Sequence, residues 1–241
     1  MSYKYKHTVY IPCHNYSNNL IAAMKTITEQ VRLGYNDVVN SFFDNNEVIL
    51  INDGSSDSSL SIIRHFERRL KNITVLNNKD SNGLIKCCNK ALEIAQGQYI
   101  TRLDPDDMFS RYHFLMVDSY LDSDSDIALL YTGYEHMDKF GNIFEFKGKE
   151  IGEPYHGACC AVKTQSLKDI GGYDEKYSCQ DGYYLWLNFK KKYKIKYATD
   201  CTWYYRIHGK SMSDKTQKIL DTRALILKDF IKKHGYNPHE S

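Results

Sequence analysis

The 241-residue chain has four prolines and no apolar run near the roughly 20 residues that a membrane-spanning helix needs. Its first residues, MSYKYKHTVYIP, contain no apolar stretch of signal-peptide length, so export by that route is not expected. No CxxC pair occurs among the seven cysteines; the count is odd, and Cys87-Cys88 and Cys159-Cys160 are adjacent in sequence. That pattern argues against both a disulfide framework and a zinc site, and points to small buried thiols in a reducing, cytoplasmic compartment. Neither GxGxxG nor GxxxxGK[ST] is present, which disfavours a Rossmann dehydrogenase and a P-loop NTPase. There is no internal repeat, low-complexity segment or linker. Neither sign of charge dominates, with 32 Lys+Arg against 30 Asp+Glu and a formal net charge of +2. The distribution is uneven, however: residues 1–189 carry 19 basic and 25 acidic side chains, and residues 190–241 carry 13 and 5.

What is present is ordinary for a globular enzyme-sized domain. A hydrophobic fraction of 42% excludes collagenous, disordered and mini-protein classes, and the length can bury a continuous core. Apolar runs at His7–Ile11, Glu47–Ile51, Ile73–Leu76 and Tyr99–Leu103 read as strands. Helical spacing separates them: Leu20, Met24, Ile27 and Val31, then Leu60, Ile63, Phe66 and Leu70, then Leu84 to Ala95. Strand and helix in alternation imply an α/β fold with a mostly parallel central sheet flanked by helices. Between Val31 and Glu47 the cluster Val38, Val39, Phe42 and Phe43 predicts a short helix on the sheet edge. Further on, the pattern predicts a helix at Tyr112–Leu121, a strand at Ile127–Tyr131, a hairpin at Gly141-Asn142, a stop at Gly171-Gly172, a helix over Asp181–Lys192 and an amphipathic helix over Lys215–His234.

In a parallel sheet, ligands bind beyond the carboxyl ends of the strands, and polar motifs stand at those positions here. Pro12-Cys13-His14-Asn15 follows the first strand, with a ring able to stack on a base. Asn52-Asp53-Gly54-Ser55 follows the second; Asp53 can accept from a ribose hydroxyl or a base N–H, while Ser56 and Asp57 are accounted for as helix caps. Leu103-Asp104-Pro105-Asp106-Asp107 puts three carboxylates directly after the fourth strand. Crowded like charges cost energy unless a cation neutralises them, and Mg²⁺ or Mn²⁺ takes such hard oxygen ligands together with substrate phosphates. A polar turn capping the next helix is the plainer account of the same residues. Asp181 precedes an aromatic-rich helix, where N-capping would explain it. The run Tyr204-Tyr205-Arg206-Ile207-His208-Gly209-Lys210 offers phosphate or metal partners, or a basic surface loop.

Taken in order, PCHNYSNNL, VILINDGSSDSS, ALEIAQGQYITRLDPDD, GGYDEKYSCQDGYYLWL and YRIHGKSMS resemble family 2 glycosyltransferases of the GT-A fold over about residues 8–213. The resemblance implies one GT-A domain over residues 1–241, with a nucleotide-binding half at 1–107, an acceptor half at 108–213 and a C-terminal helix and tail at 214–241. It implies an inverting, metal-dependent enzyme that moves a sugar from a nucleotide-diphosphate donor, UDP-linked in most of the family, to a glycan or lipid-linked hydroxyl. Carried over by position, Pro12, His14, Asn15 and Asp53 would face the nucleotide, with Asp53 taking a pyrimidine N3–H. Asp104 and Asp106 match the DxD element, Asp106 for the metal and Asp104 for the ribose or a metal-bound water. His208 would be a further metal ligand and Asp181 the general base, while Lys86, Arg206 and Lys210 would add positive charge at the diphosphate.

The chain departs from the family pattern at three places. Gln180 stands where an acidic residue usually precedes the base, Asn52 replaces a commoner Asp, and Cys88-Asn89 replaces a usual Arg-Asn, with Lys86 as the substitute cation. Two other readings compete with the glycosyltransferase. A non-catalytic sugar-nucleotide or glycan-binding module of the same fold draws support from Gln180. A sugar-1-phosphate nucleotidylyltransferase would need a glycine-rich basic loop after the first strand, which PCHNYSNNL does not supply. Nucleic acid is excluded as a partner by the acidic body and the absence of a recognition motif. The basic C-terminal helix is expected to be solvated or to dock peripherally on the inner face of an anionic membrane.

Overall fold

A computed structural model of the chain describes residues 3–30, 42–147, 157–209 and 216–239. Its first half follows the alternation of the sequence: β1 (Tyr5–Cys13), α1 (Ser17–Thr28), β2 (Asn46–Asp53), α2 (Ser59–Arg69), β3 (Ile73–Asn78), α3 (Leu84–Ile94) and β4 (Gly97–Arg102). Every residue of β2 is buried, as expected of a strand covered on both faces of a parallel sheet. Val9 pairs with Val48 and Thr101, and Ile11 with Leu50, so β1 lies between β2 and β4, parallel to both. Successive side chains point to opposite faces. Val9, Ile11, Val48 and Leu50 therefore pack beneath Leu20, Met24 and Ile27 of α1, while Tyr10, Ile49, Ile51 and Ile100 pack on the other side. Each such fully buried aliphatic side chain contributes about 1.5–3 kcal/mol.

The second half continues the sheet with β5 (Met108–Phe109), α4 (His113–Ser123), β6 (Ile127–Met137), β7 (Ile143–Lys147), β8 (Ala161–Lys163), α5 (Thr164–Asp169), α6 (Asp181–Lys190), β9 (Lys194–Arg206) and α7 (Thr216–His234). Strand order across the nine-stranded sheet is β3-β2-β1-β4-β8-β6-β9-β5, with β7 paired to β6. The β3-β2-β1-β4 section is parallel, β8 is antiparallel to both neighbours, and β6 and β9 run parallel again. The expected α/β architecture is present, and β6–β7 forms the hairpin read from Gly141-Asn142, with Asp138 N–H bonded to the Asn142 carbonyl.

One expectation is corrected, and another falls largely outside the described residues. The lysine-rich stretch after residue 190 is not the end of a helix reaching Lys192: α6 stops at Lys190, and β9 places exposed Lys194 and Lys196 alternately with half-buried Ile195 and Tyr197. The short helix expected between Val31 and Glu47 falls largely at residues 31–41, outside the described residues with Val31, Val38 and Val39; what is described is one 3-10 turn at Phe42–Asp44 that buries Phe42 and Phe43. The C-terminal helix α7 is amphipathic as expected, burying Ile226 and Phe230 in the core that includes α6, while Leu220 and Leu225 stay exposed. No helix among the described residues is long and apolar enough to cross a membrane.

Candidate active site

The carboxyl ends of β1, β2 and β4 open into a cleft of about 380 Å³, large enough for a nucleotide-sized ligand. Its walls include Pro12, His14, Tyr16, Asp53, Asp104 and Asp106, with Ser81, Gly83, Cys87 and Tyr205. Three of the expected residues, Pro12, His14 and Asp53, thus converge with both acidic residues of the D-P-D element. His14 turns its Nδ1–H to the Asp53 carbonyl at 2.6 Å, which fixes its ring over the loop after β2.

Asp53 is 4% exposed and is held by the loop after β3. One carboxylate oxygen accepts from Asn78 Nδ2 (2.8 Å) and Asn82 N–H (2.9 Å), the other from Ser81 Oγ–H (2.8 Å) and Gly83 N–H (2.9 Å). Burial pushes its pKa up, but these bonds outweigh burial and hold it down to about 2. The approach of the two loops requires Gly54: its φ is +67°, and a Cβ there would lie 2.6 Å from backbone atoms of Asp80 and Ser81. Asn15, expected at the nucleotide, ties two loops together in the structure. Its φ is +62°, and its amide oxygen accepts from the Ser56 N–H at 2.8 Å and more distantly from the Asp57 N–H.

Beyond β4, the carboxylates divide. Asp106 faces His208, with 2.8 Å between Oδ2 and Nε2. Asp107 turns inward and accepts from the Arg206 backbone N–H at 2.9 Å, clamping the loop to the end of β9. Burial, then Asp106 and Asp104, push the Asp107 pKa well up. Asp104 is pushed up to about 6, by burial foremost and by Asp106 and Asp181, against the pull of Arg102. This is a cluster of like charges that favours a cation. Asp106 and His208 present a carboxylate and an imidazole to the same space, with Asp104 close by, and this donor set suits Mn²⁺ or Mg²⁺ completed by phosphates and water. No group of three or more His, Cys, Asp or Glu side chains that could hold a metal ion is found among the described residues.

Sequence reasoning missed Arg102, the residue that links this cluster to Asp181. Asp181 is the first residue of α6, after Gln180 in the left-handed region (φ +64°), and no side chain caps that helix. Its carboxylate does not serve as the expected N-cap: Oδ2 accepts from Arg102 Nη1 at 2.6 Å, and the same guanidinium lies 2.8 Å from Asp104 Oδ1 through Nε. The available signal was spacing. Residues two apart in extended chain share a face, which places Arg102 beside Asp104 in TRLDPDD. Tyr16 was also missed; burial, then Asp106 and Asp104, push its hydroxyl pKa up.

The expected diphosphate cations fare differently. Arg206 is buried and spends its guanidinium on the carbonyls of Asp106 (2.9 Å) and Asp138 (3.1 Å), so it braces the loop that carries Asp106. Lys86 is exposed and not among the cleft walls, because Ile85, Cys87 and Cys88 take the inward positions of that turn. Lys90, one turn on, reaches Asn78 Oδ1 at 2.8 Å and so supports the Asp53 network. Lys210 lies outside the described residues.

Residues 8–171 match the family described as Glycosyl transferase family 2. The minor teichoic acid biosynthesis protein GgaB of Bacillus subtilis is 29% identical over 262 residues, covering 97% of this chain and 27% of its own length. An uncharacterized glycosyltransferase of Mycoplasma pneumoniae is 30% identical over 132 residues, 54% of this chain and 41% of its own. The chain therefore spans less than half the length of these two curated relatives. Among solved structures, S. aureus TarS 1-349 in complex with UDP-GlcNAc superposes with a TM-score of 0.72 at 17% identity, covering 95% of this chain and 72% of that one, which is a likeness of fold.

Proposed function

The chain belongs to glycosyl transferase family 2, and from that premise we propose that it transfers a sugar, with inversion, from a UDP-linked donor to a glycan or lipid-linked hydroxyl. The observation that carries the proposal is the joining of two half-sites. A nucleotide-sized cleft lined by Asp53, Asp104 and Asp106 is connected through one buried arginine to Asp181 at the start of α6. The TarS complex with UDP-GlcNAc supports a UDP-linked donor. In the same reading, residues 1–107 hold the nucleotide and residues 108–213 serve the acceptor.

In the donor cleft, Pro12 and His14 form the wall against which a base would lie, and the Asp53 loop forms its edge. All four hydrogen bonds to Asp53 come from its own protein, so in this reading Asp53 shapes the base pocket through residues 78–83, and a base N3–H is read there by sharing one of those acceptors. Asp106 and His208 would hold a divalent cation with the donor's phosphates, where it neutralises charge developing on the departing diphosphate. A structure of the mannosyltransferase PcManGT of Pyrobaculum calidifontis with GDP-Man and Mn²⁺, similar in fold to this chain (TM-score 0.73, 16% identity, 98% of this chain and 67% of that one), supports that ion. Asp181 takes the proton of the acceptor hydroxyl as its oxygen bonds to the anomeric carbon. The bond from that carbon to the phosphate oxygen breaks on the opposite face, and the nucleoside diphosphate leaves with the electron pair. One base of this kind contributes about 10²–10⁴-fold, and a single displacement needs no second carboxylate acting as nucleophile.

The test is a panel of UDP- and GDP-sugars screened by thermal shift with Mn²⁺, followed by transfer to a mixture of alkyl glycosides for whichever donor stabilises the protein. Asp181→Asn is expected to abolish transfer while binding UDP as the parent does. Wild-type turnover by that variant would remove Asp181 from the mechanism. Donor binding without release of nucleotide by the parent enzyme would favour the non-catalytic module.

A further inference from the structure

We propose that Arg102 is a positioning residue shared by the two halves of the site, and that Gly157 completes its hold on Asp181 so that Oδ1 is the working oxygen. The inference rests on the reading of Asp181 as the proton acceptor. Arg102 is the last residue of β4, and its side chain is 4% exposed. A guanidinium is a planar fork, and here its edges serve different carboxylates. Nε is 2.8 Å from Asp104 Oδ1, Nη2 donates to Asp104 Oδ2 at 3.3 Å, and Nη1 donates to Asp181 Oδ2 at 2.6 Å. An ammonium group is a point charge without this geometry, so lysine cannot hold both partners in the same way.

Gly157 bounds the same oxygen. A Cβ at this position would lie 1.8 Å from Asp181 Oδ2 and 2.7 Å from its Cγ, so any side chain there must displace the carboxylate. The segment carrying Gly157 is itself clipped to Arg102: the Cys159 N–H donates to the Arg102 carbonyl at 2.7 Å, with Cys159 in the left-handed region at φ +58°. Arg102 thus organises Asp181 twice, through its side chain and through the strand edge that brings Gly157 into place. Oδ2 is confined between guanidinium and glycine, whereas Oδ1 accepts no hydrogen bond among the described residues. A carboxylate with one oxygen bound and one free meets a hydroxyl in one orientation only, and that is the benefit of the arrangement. Displacing such a group by about 1 Å can cost about 100-fold in rate.

The experiment compares Arg102→Lys, Gly157→Ala and Asp181→Asn in the full chain. UDP release from the donor identified by the panel is read with the alkyl glycoside mixture, and UDP binding with Mn²⁺ is read by calorimetry. Both positioning variants are expected to lower kcat about 100-fold, and Gly157→Ala to leave UDP affinity within about threefold of the parent, since it touches only the acceptor side. Combined with Asp181→Asn, Gly157→Ala is not expected to lower residual turnover further, as for residues acting through one group. Wild-type kcat in both variants, or full additivity of Gly157→Ala with Asp181→Asn, overturns the inference and leaves the role of Asp181 standing. Activity of Asp181→Asn itself instead overturns the reading beneath it. If the variants do not fold, or no donor in the panel turns over, a crystal structure of the wild-type protein with UDP and Mn²⁺ decides: Arg102 must remain within hydrogen-bond distance of Asp181 Oδ2, and a separated pair refutes the proposal.

Discussion

Replacing Asp53 by Asn should destabilise the protein by roughly 2 kcal/mol at pH 7, by an amount that disappears in acid. The carboxylate accepts four hydrogen bonds, two of them from the backbone N–H groups of Asn82 and Gly83. Hydrogen bonds to a charged acceptor are worth about 1.5–3 kcal/mol each before desolvation is charged against them, so their gross sum greatly exceeds the net. The net is carried by the pKa, held down from 3.8 to about 2. A displacement of nearly two units corresponds to roughly 2 kcal/mol. Because the folded-state pKa is depressed, this stability is fully present above the unfolded value near 3.8 and is lost as pH falls through about 2. Asn in its place cannot accept on both sides, and its amide N–H₂ faces two donors. Urea denaturation of both proteins at a series of pH values between 7 and 2 measures the difference directly. It should be constant down to pH 4 and shrink below that. A difference independent of pH, or none at pH 7, would refute the account of the Asp53 network.

Asp106→Ala and His208→Ala should each bring UDP affinity measured with Mn²⁺ toward the value measured in EDTA, whereas the parent should show a clear gap between the two conditions by calorimetry. Gly54→Ala should lose about 1–3 kcal/mol in thermal or urea unfolding and weaken UDP binding, since its Cβ would strike the backbone of Asp80 and Ser81 in the loop that holds Asp53. His113 is fully buried, donates Nδ1–H to the Thr202 carbonyl and stacks on Phe109 at 4.0 Å; burial holds its pKa down to about 3. Between pH 6.5 and 3 the unfolded chain takes up a proton that the folded one refuses, so His113 makes stability fall by about 1 kcal/mol per pH unit on acidification. His113→Asn, whose amide can keep the Thr202 bond, should flatten that slope; an unchanged slope would place the acid sensitivity elsewhere.

The parts of the molecule that were legible in the sequence are those governed by neighbours close along the chain. Strands β1 to β4 are short apolar runs bounded by polar loops, and the helices between them repeat with helical spacing, so both follow from local pattern. The D-P-D element, Asp53 and the Gly171-Gly172 stop were legible for the same reason. Strand β9 was not, because KIKYATDCTWYYR alternates lysines with residues that become half-buried only once β6 lies alongside. Strands β5 and β8, of two and three residues, are too short to leave a pattern and exist only through pairing across the sheet. Arg102 and Asp181 are 79 residues apart, and no local rule predicts that a helix-initiating aspartate would point at a strand-end arginine rather than cap its own helix. The place of Arg206, expected at the diphosphate, was not legible on similar grounds. Its composition suits phosphate, but its position at the end of β9 offers buried carbonyls first.

The uneven charge of the chain takes on a physical meaning in this fold. The tail and the body pair in both directions: the tail's Lys194 meets Asp124, and the acidic Asp229 of α7 receives Lys176 from the body. Exposed pairs of this kind stabilise by about 0–1 kcal/mol and are screened by salt, so they do not change the field at the far edge of the sheet. At that edge, Asp104, Asp106 and Asp107 stand within four residues, and Asp181 adds its charge to the field at Asp104. Arg102 is already committed to Asp104 and Asp181, Arg206 to backbone carbonyls, and Lys90 to Asn78. A diphosphate entering this cleft alone would meet like charge at short range, whereas one entering with a divalent cation would not. Nucleotide binding should therefore depend on the cation far more steeply than on ionic strength: a titration of UDP at fixed Mn²⁺ should lose little affinity between low and physiological salt, and removal of Mn²⁺ should cost most of it.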